Sequence, residues 1–157
     1  MQLYRLHLNA GFTLTELLVT ISIAAVLAML AIPSFSNFTA SQRVKNTSTD
    51  LFVSLVRTRS EALKLNRSVD LLPKAGGWQN GWEIVNAGTG NILEDHGPLK
   101  GVTVTTSSGP STITFNSYGR VQGGTTSLHI TAAGAVTFDR CLTVDSSGRP
   151  YAKASSC

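Results

Sequence analysis

The stretch GFTLTELLVTISIAAVLAMLAIPSFSNF, residues 11–38, decides what kind of chain this is. From Phe12 to Phe38 the one ionisable side chain is Glu16. As a helix these residues extend about 40 Å, more than the roughly 30 Å hydrocarbon core of a bilayer. Leu, Ala, Ile and Val dominate, and Thr20 and Ser22 are placed to bond back to their own helix. Pro33 falls late in the run, where its missing N–H and its ring predict a kink.

Two ordinary readings of such a segment meet difficulty at Glu16. A cleaved secretory signal would carry a carboxylate directly against its apolar core and only Arg5 as a firm positive charge ahead of it. It should also give way to an unrelated segment, whereas the helical pattern continues past Pro33. A plain anchor leaves the acid unexplained, because an ionised carboxylate inside a bilayer costs a few kcal/mol. No cation lies within helical reach of it inside the segment.

The same residues resemble the N-terminus of type IV pilin-like proteins: Gly11 ending a short leader, Phe12, Glu16 at the fifth place after the cut, and a late Pro33. The resemblance implies cleavage by prepilin peptidase between Gly11 and Phe12, and methylation of the new amine on Phe12. It also implies that Glu16 answers the N-terminal amine of a neighbouring subunit. Each charge is expensive in lipid alone, and low dielectric strengthens their attraction. The implied partners are other minor pilins, the major pilin, prepilin peptidase, the inner-membrane assembly platform, and inner-membrane lipid before assembly. The implied location is the inner membrane with a periplasmic head, then a pilus or pseudopilus filament of a Gram-negative bacterium.

Beyond Pro33 the pattern becomes amphipathic. Val44, Leu51, Phe52, Leu55, Val56, Ala62 and Leu63 recur at gaps of three, four and seven, which predicts one apolar stripe on a helix running to about Asn66. Arg57 and Glu61 form a candidate pair four residues apart. The formal net charge is +4, and residues 43–67 account for it with Arg43, Lys45, Arg57, Arg59, Lys64 and Arg67 against Asp50 and Glu61. Such a stretch past a membrane segment faces solvent, acidic lipid or nucleic acid.

From Ser68 onward the periodicity changes. SVDLL, GWEIVNA, GVTVTT, STITFNS, SLHITAA, AVTFDRCLTV and GRPYAKA read as strands between turn signals such as PKAGG, GTGN, HGP, SSGP, YGR and SSG. The expected fold class is α+β: a long N-terminal helix, hydrophobic then amphipathic, packed against antiparallel β-sheets of a pilin-like head. The expected division is a leader at 1–11, a transmembrane and filament-core helix at 12–39, an amphipathic half at 40–67 and a β-rich head at 68–157. Cys141 and Cys157 form no C-x-x-C pair. In an exported chain they read as one disulfide tying down the tail, and in a reducing compartment as two free thiols.

The order of the head segments resembles the minor pseudopilin group that includes the GspH, FimT and FimU proteins. The resemblance rests on the Arg-x-x-Ala helix end, the Gly-Trp strand, the Phe-x-x-x-Gly strand end and the Gly-Arg near the C-terminus. It implies a minor pilin that primes or joins a pilus for twitching or adhesion, or a minor pseudopilin of type II secretion. Some FimT-like relatives take up DNA in natural transformation through a Gly-Arg-x-Arg tail. Here Gly148 and Arg149 are followed by Pro150 and Tyr151, so Arg140, Arg149, Tyr151 and Lys153 are the candidate DNA contacts. Trp78 and Trp82 read as packed rather than as a stacking pair. Glu94, Asp95 and His96 read as a turn, not a metal site. No nucleophile elbow, phosphate loop or paired His-Glu motif appears, so no catalytic residue, metal or cofactor is assigned.

Overall fold

The computed structural model describes residues 12–132 and 138–157. The expected leader, the turn at Ala133–Gly134 and the strand positions 135–137 lie outside the described residues. The chain divides into two compact units, the first ending at Phe35 and the second running from Ser36 to Cys157. One helix, α1 (Leu14–Leu65), carries residues of both. Position 33 lies inside α1, but its side chain is outside the described set, so the kink stays an expectation.

α1 stops where its chemistry tells it to. Asn66 takes a left-handed φ of 49°, its N–H donates to the Leu63 carbonyl, and the Arg67 N–H donates to the Ala62 carbonyl. This is the Schellman arrangement, with Asn in the place usually held by Gly. Within the second unit the helix buries Ala40, Val44, Leu51, Leu55 and Ala62 together with Thr47, Ser48, Ser54 and Thr58. The expected single apolar stripe is therefore two. Phe52, Val56 and Leu63 are exposed, along with Val53. Small Ser and Thr residues take the sheet-facing positions instead, and Thr58 satisfies its hydroxyl on the Ser54 carbonyl at 2.6 Å.

The head holds two antiparallel sheets. The strands are β1 (Val69–Pro73), β2 (Trp82–Asn86), β3 (Ile92–His96), β4 (Thr103–Ser108), β5 (Ile113–Phe115), β6 (Val121–Gln122), β7 (Thr126–Ala132), β8 (Phe138–Val144) and β9 (Pro150–Lys153). The first sheet has the order β3-β2-β1-β5-β6 and the second β4-β7-β8-β9. Inward positions alternate cleanly, as in β7, where Thr126, Leu128, Ile130 and Ala132 are buried and Ser127, His129 and Thr131 are not. Val69, Leu71, Ile84, Ile113, Phe115, Leu128, Ile130 and Leu142 build the core with the helix residues.

Two local expectations are corrected, and the packed reading of the Trp residues holds. Glu94, Asp95 and His96 are not a turn but the end of edge strand β3, in register with Ile84, Glu83 and Trp82. Charged residues suit an edge because they discourage a further strand from adding there. Arg57 pairs with Glu94 at 2.7 Å and not with Glu61, which meets Lys64 at 3.6 Å. The Trp pair is interior. The Trp82 N–H donates to Ser54 Oγ at 2.9 Å, and the Trp78 N–H reaches Thr106 Oγ1 at 3.3 Å. Trp82 thus ties the first sheet to α1, and Trp78 reaches across to β4 of the second. His96 stacks on Trp82 with ring centroids 3.8 Å apart, and its Nε2 lies 3.9 Å from Asp50 Oδ2 on α1.

Candidate functional site

The N-terminal end of α1 is built around Glu16. Thr13 precedes the first helical residue, and its hydroxyl accepts the Glu16 N–H at 3.2 Å. In return Glu16 Oε2 accepts the Thr13 N–H at 2.9 Å and the Thr13 hydroxyl at 2.7 Å. This is a capping box, in which Thr and Glu three residues apart satisfy helix-start donors reciprocally. The pattern Thr13-x-x-Glu16 stood in the sequence and could have been found there. Glu16 therefore has a partner within its own chain, which the sequence reading did not supply. Both bonds fall on one carboxylate oxygen; among the described residues nothing bonds to Oε1.

The helix around and after Glu16 offers apolar surface on all sides. Phe12 to Met29 and Ser34 to Ser36 are exposed. Thr20 and Ser22 turn their hydroxyls inward to the Leu17 and Leu18 carbonyls at 2.8 and 2.7 Å. Their polarity is absorbed within the helix, so they do not mark a ligand site. An apolar surface of this extent requires lipid or other protein around it.

The tail is closed by a Cys141–Cys157 disulfide, with Cα atoms 4.9 Å apart. The four candidate DNA contacts do not share one face. Thr143 opposes Tyr151 and Cys141 opposes Lys153, so these side chains lie on one surface of the second sheet. The Lys153 ammonium sits 5.7 Å from the Tyr151 ring centroid. Arg140, one residue out of phase, lines a separate cavity with Ser41 and Lys45 from α1. Arg149 is in the turn before β9, where its N–H donates to Asp145 Oδ1 at 3.0 Å.

Asp145 organises that turn. The Ser147 hydroxyl, first, and the Arg149 N–H hold its half-buried carboxyl below the usual carboxylate range. Gly148 has a φ of 80°, and a Cβ there would stand 2.1 Å from the Gly119 carbonyl oxygen and 3.2 Å from the Phe115 ring. A Cβ on Gly119 would in turn stand 3.0 Å from Arg59 Nε. Arg59 with buried Ala62, Phe115 with Gly119, and Gly148 are the marker residues of the helix end, the first sheet and the tail. They meet at one junction of the head. Gly81, the other marker, has a φ of 99°, and a Cβ there would collide with the His96 carbonyl oxygen. Only glycine fits either place.

The profile of the family described as Type II transport protein GspH matches residues 47–148. The chain belongs to the GspH family. The prokaryotic N-terminal methylation motif matches residues 6–32. In fold the GspH-family chain is similar to the type IV minor pilin FimU of Pseudomonas aeruginosa, known from two crystal forms. One is 22% identical with a TM-score of 0.64, covering 74% of this chain and 92% of that one. The other is 22% identical with a TM-score of 0.60, covering 69% and 91%. No curated protein matches the chain in sequence. The pilin-like α+β architecture expected from the sequence, a long N-terminal helix on antiparallel sheets, is the observed one.

Proposed function

We propose that this chain is a minor type IV pilin that primes or joins a pilus by helix packing and head-to-head contact. The observation that carries the reading is the conjunction at the start of α1. An all-round apolar helix begins within two residues of the expected cut, and its acid at position 16 has one carboxylate oxygen without a partner among the described residues. Before assembly the segment lies in the inner membrane with the head in the periplasm. Prepilin peptidase cuts between Gly11 and Phe12, and the Phe12 ammonium becomes the cation that Glu16 of an adjoining subunit meets. Glu16 then has two duties, capping its own helix and pairing with its neighbour. Contacts with the assembly platform, the major pilin and other minor pilins follow from the same role, as do twitching and adhesion.

Two variants separate the duties. Glu16→Gln keeps an acceptor for Thr13 but removes the charge. Thr13→Val removes the cap and keeps the charge. The expected result is that Glu16→Gln is inserted in the membrane yet at least tenfold depleted from sheared filaments, while Thr13→Val is depleted less. Equal recovery of Glu16→Gln and wild type would contradict the pairing role. A second reading, a type II secretion pseudopilin, is favoured by the description of the matching family. Deletion of the gene distinguishes them: loss of surface pili supports the first, and retention of secreted enzymes in the periplasm the second. The separation of Arg140 from Tyr151 and Lys153 weighs against a DNA-uptake role through the tail.

A further inference from the structure

We infer that the cleft between the start of the head's helix segment and β8 holds the phosphate of an anionic lipid headgroup. The cleft has a volume of about 370 Å³ and lies wholly within the second unit. Ser41, Lys45, Arg140 and Ser155 supply its polar wall, and Val44 and Phe138 its apolar one. Two cationic residues and two hydroxyl-bearing ones line it. Neither Lys45 nor Arg140 makes a salt bridge among the described residues. The acid among the lining residues, Asp139, has its Oδ1 3.2 Å from His129 Nε2 on the neighbouring strand with no hydrogen bond between them, so the wall carries two positive charges against one negative. Uncommitted cations in a recess are the usual seat of a phosphate, with guanidinium and ammonium as complementary donors.

The source of the phosphate follows from position along the chain, and so rests on the membrane reading of residues 12–39. Ser41 is three residues beyond Phe38, the last large apolar residue of the segment. Three residues span at most about 10 Å, whatever the arrangement of the two units. As a helix, residues 12–38 exceed the core by about 10 Å, so Phe38 already lies at the interface, and the long Lys45 and Arg140 side chains reach back toward the headgroups from just beyond it. Anionic headgroups attract basic side chains there, and the Val44–Phe138 wall suits the glycerol and first methylenes of the same lipid. Arg43, equally basic and two residues from Lys45, lies instead over the backbone of Gly101 and outside the cleft. General attraction to an acidic surface would use Arg43 as readily, which makes it the natural control.

The test uses the full chain reconstituted in mixed vesicles of phosphatidylcholine and phosphatidylglycerol. It is then extracted in mild detergent, and the lipid retained per chain is read by native mass spectrometry. Wild type and Arg43→Gln are expected to retain phosphatidylglycerol preferentially. The double variant Lys45→Gln/Arg140→Gln is expected to retain it roughly thirtyfold less, a factor of about five for each basic side chain. An intact disulfide by mass and an unchanged near-ultraviolet spectrum of the buried Trp residues show that the variant is folded. Equal loss in Arg43→Gln, or no loss in the double variant, would overturn the inference. Inorganic phosphate at millimolar concentration is expected to leave the lipid in place; full displacement would assign the cleft to free phosphate and overturn the headgroup. Flotation with vesicles reads the anchor separately. A chain that floats without lipid preference removes the headgroup alone, and one that fails to float removes both.

Discussion

At the scale of the residue, two glycines and one carboxylate show how much a single position decides. Gly148 sits at positive φ against the Gly119 carbonyl, so Gly148→Ala meets both a backbone penalty of about 1–2 kcal/mol and a collision. We expect it to destabilise the chain by about 2 kcal/mol or more, read as a lowered midpoint in denaturant. The neighbouring Arg149→Ala should stay within about 0.5 kcal/mol, because that side chain is exposed. The Gly of the Gly-Arg marker is thus a requirement of the fold, independent of any ligand for the Arg. Asp145 gives a pH signature. Its folded pKa is depressed by Ser147 and Arg149, so its contribution is present above the unfolded carboxylate value near 4 and lost as pH falls through the lower folded value. The midpoint difference between wild type and Asp145→Ala should therefore be constant near neutrality and shrink below about pH 4. A difference that persists unchanged into acid would contradict the role given to that carboxylate.

At the scale of the element, the helix and most strands could be read in advance because their signals are local. An apolar run with one charge, a period near 3.6 and then alternation between Gly-rich turns are properties of neighbouring residues. What the sequence hid was non-local. β3 was missed because its Glu94-Asp95-His96 end is polar on an edge, where no core demands apolar residues. The buried face of the helix departs from the apolar stripe because small Ser54 and Thr58 are buried in place of Phe52 and Val56. Arg57 was assigned to its helical neighbour, whereas β3 brings Glu94 closer. The capping box at Thr13 is legible in the sequence as Thr13-x-x-Glu16, a local signal like the others. Trp82→Phe tests the helix–sheet tie directly. It removes the bond to Ser54 while keeping most of the apolar ring, and should cost about 1–2 kcal/mol by leaving the buried Ser54 hydroxyl without that donor. Reducing the Cys141–Cys157 bridge opens a loop of sequence separation 16 and should cost about 3 kcal/mol, seen as a midpoint shift with reductant. No shift on reduction would mean that the tail is held by its strand pairing alone.

At the scale of the whole molecule, the chain combines a self-sufficient head with a helix segment that cannot be left in water. The head satisfies itself through two sheets, a helix face, a glycine junction and a disulfide. The described residues of the first unit are all exposed, so that helix segment must be covered by lipid or by other protein. This asymmetry is what suits a subunit that is first stored in a membrane and then drawn into a filament. In the proposed role, Glu16 is the ionisable side chain of residues 12–38 that must be accommodated at both stages, together with the Phe12 ammonium. The capping box shelters the carboxylate in the isolated chain, and its other oxygen leaves it able to meet a second donor. The most direct measurement is peptide mass spectrometry of sheared filaments and of membranes from cells making wild type or Glu16→Gln. The account predicts a mature chain beginning at a methylated Phe12 in wild-type filaments. It also predicts a Glu16→Gln chain that is cleaved and present in membranes but at least tenfold scarcer in filaments. A mature start elsewhere than Phe12, or equal amounts of both chains in filaments, would contradict it.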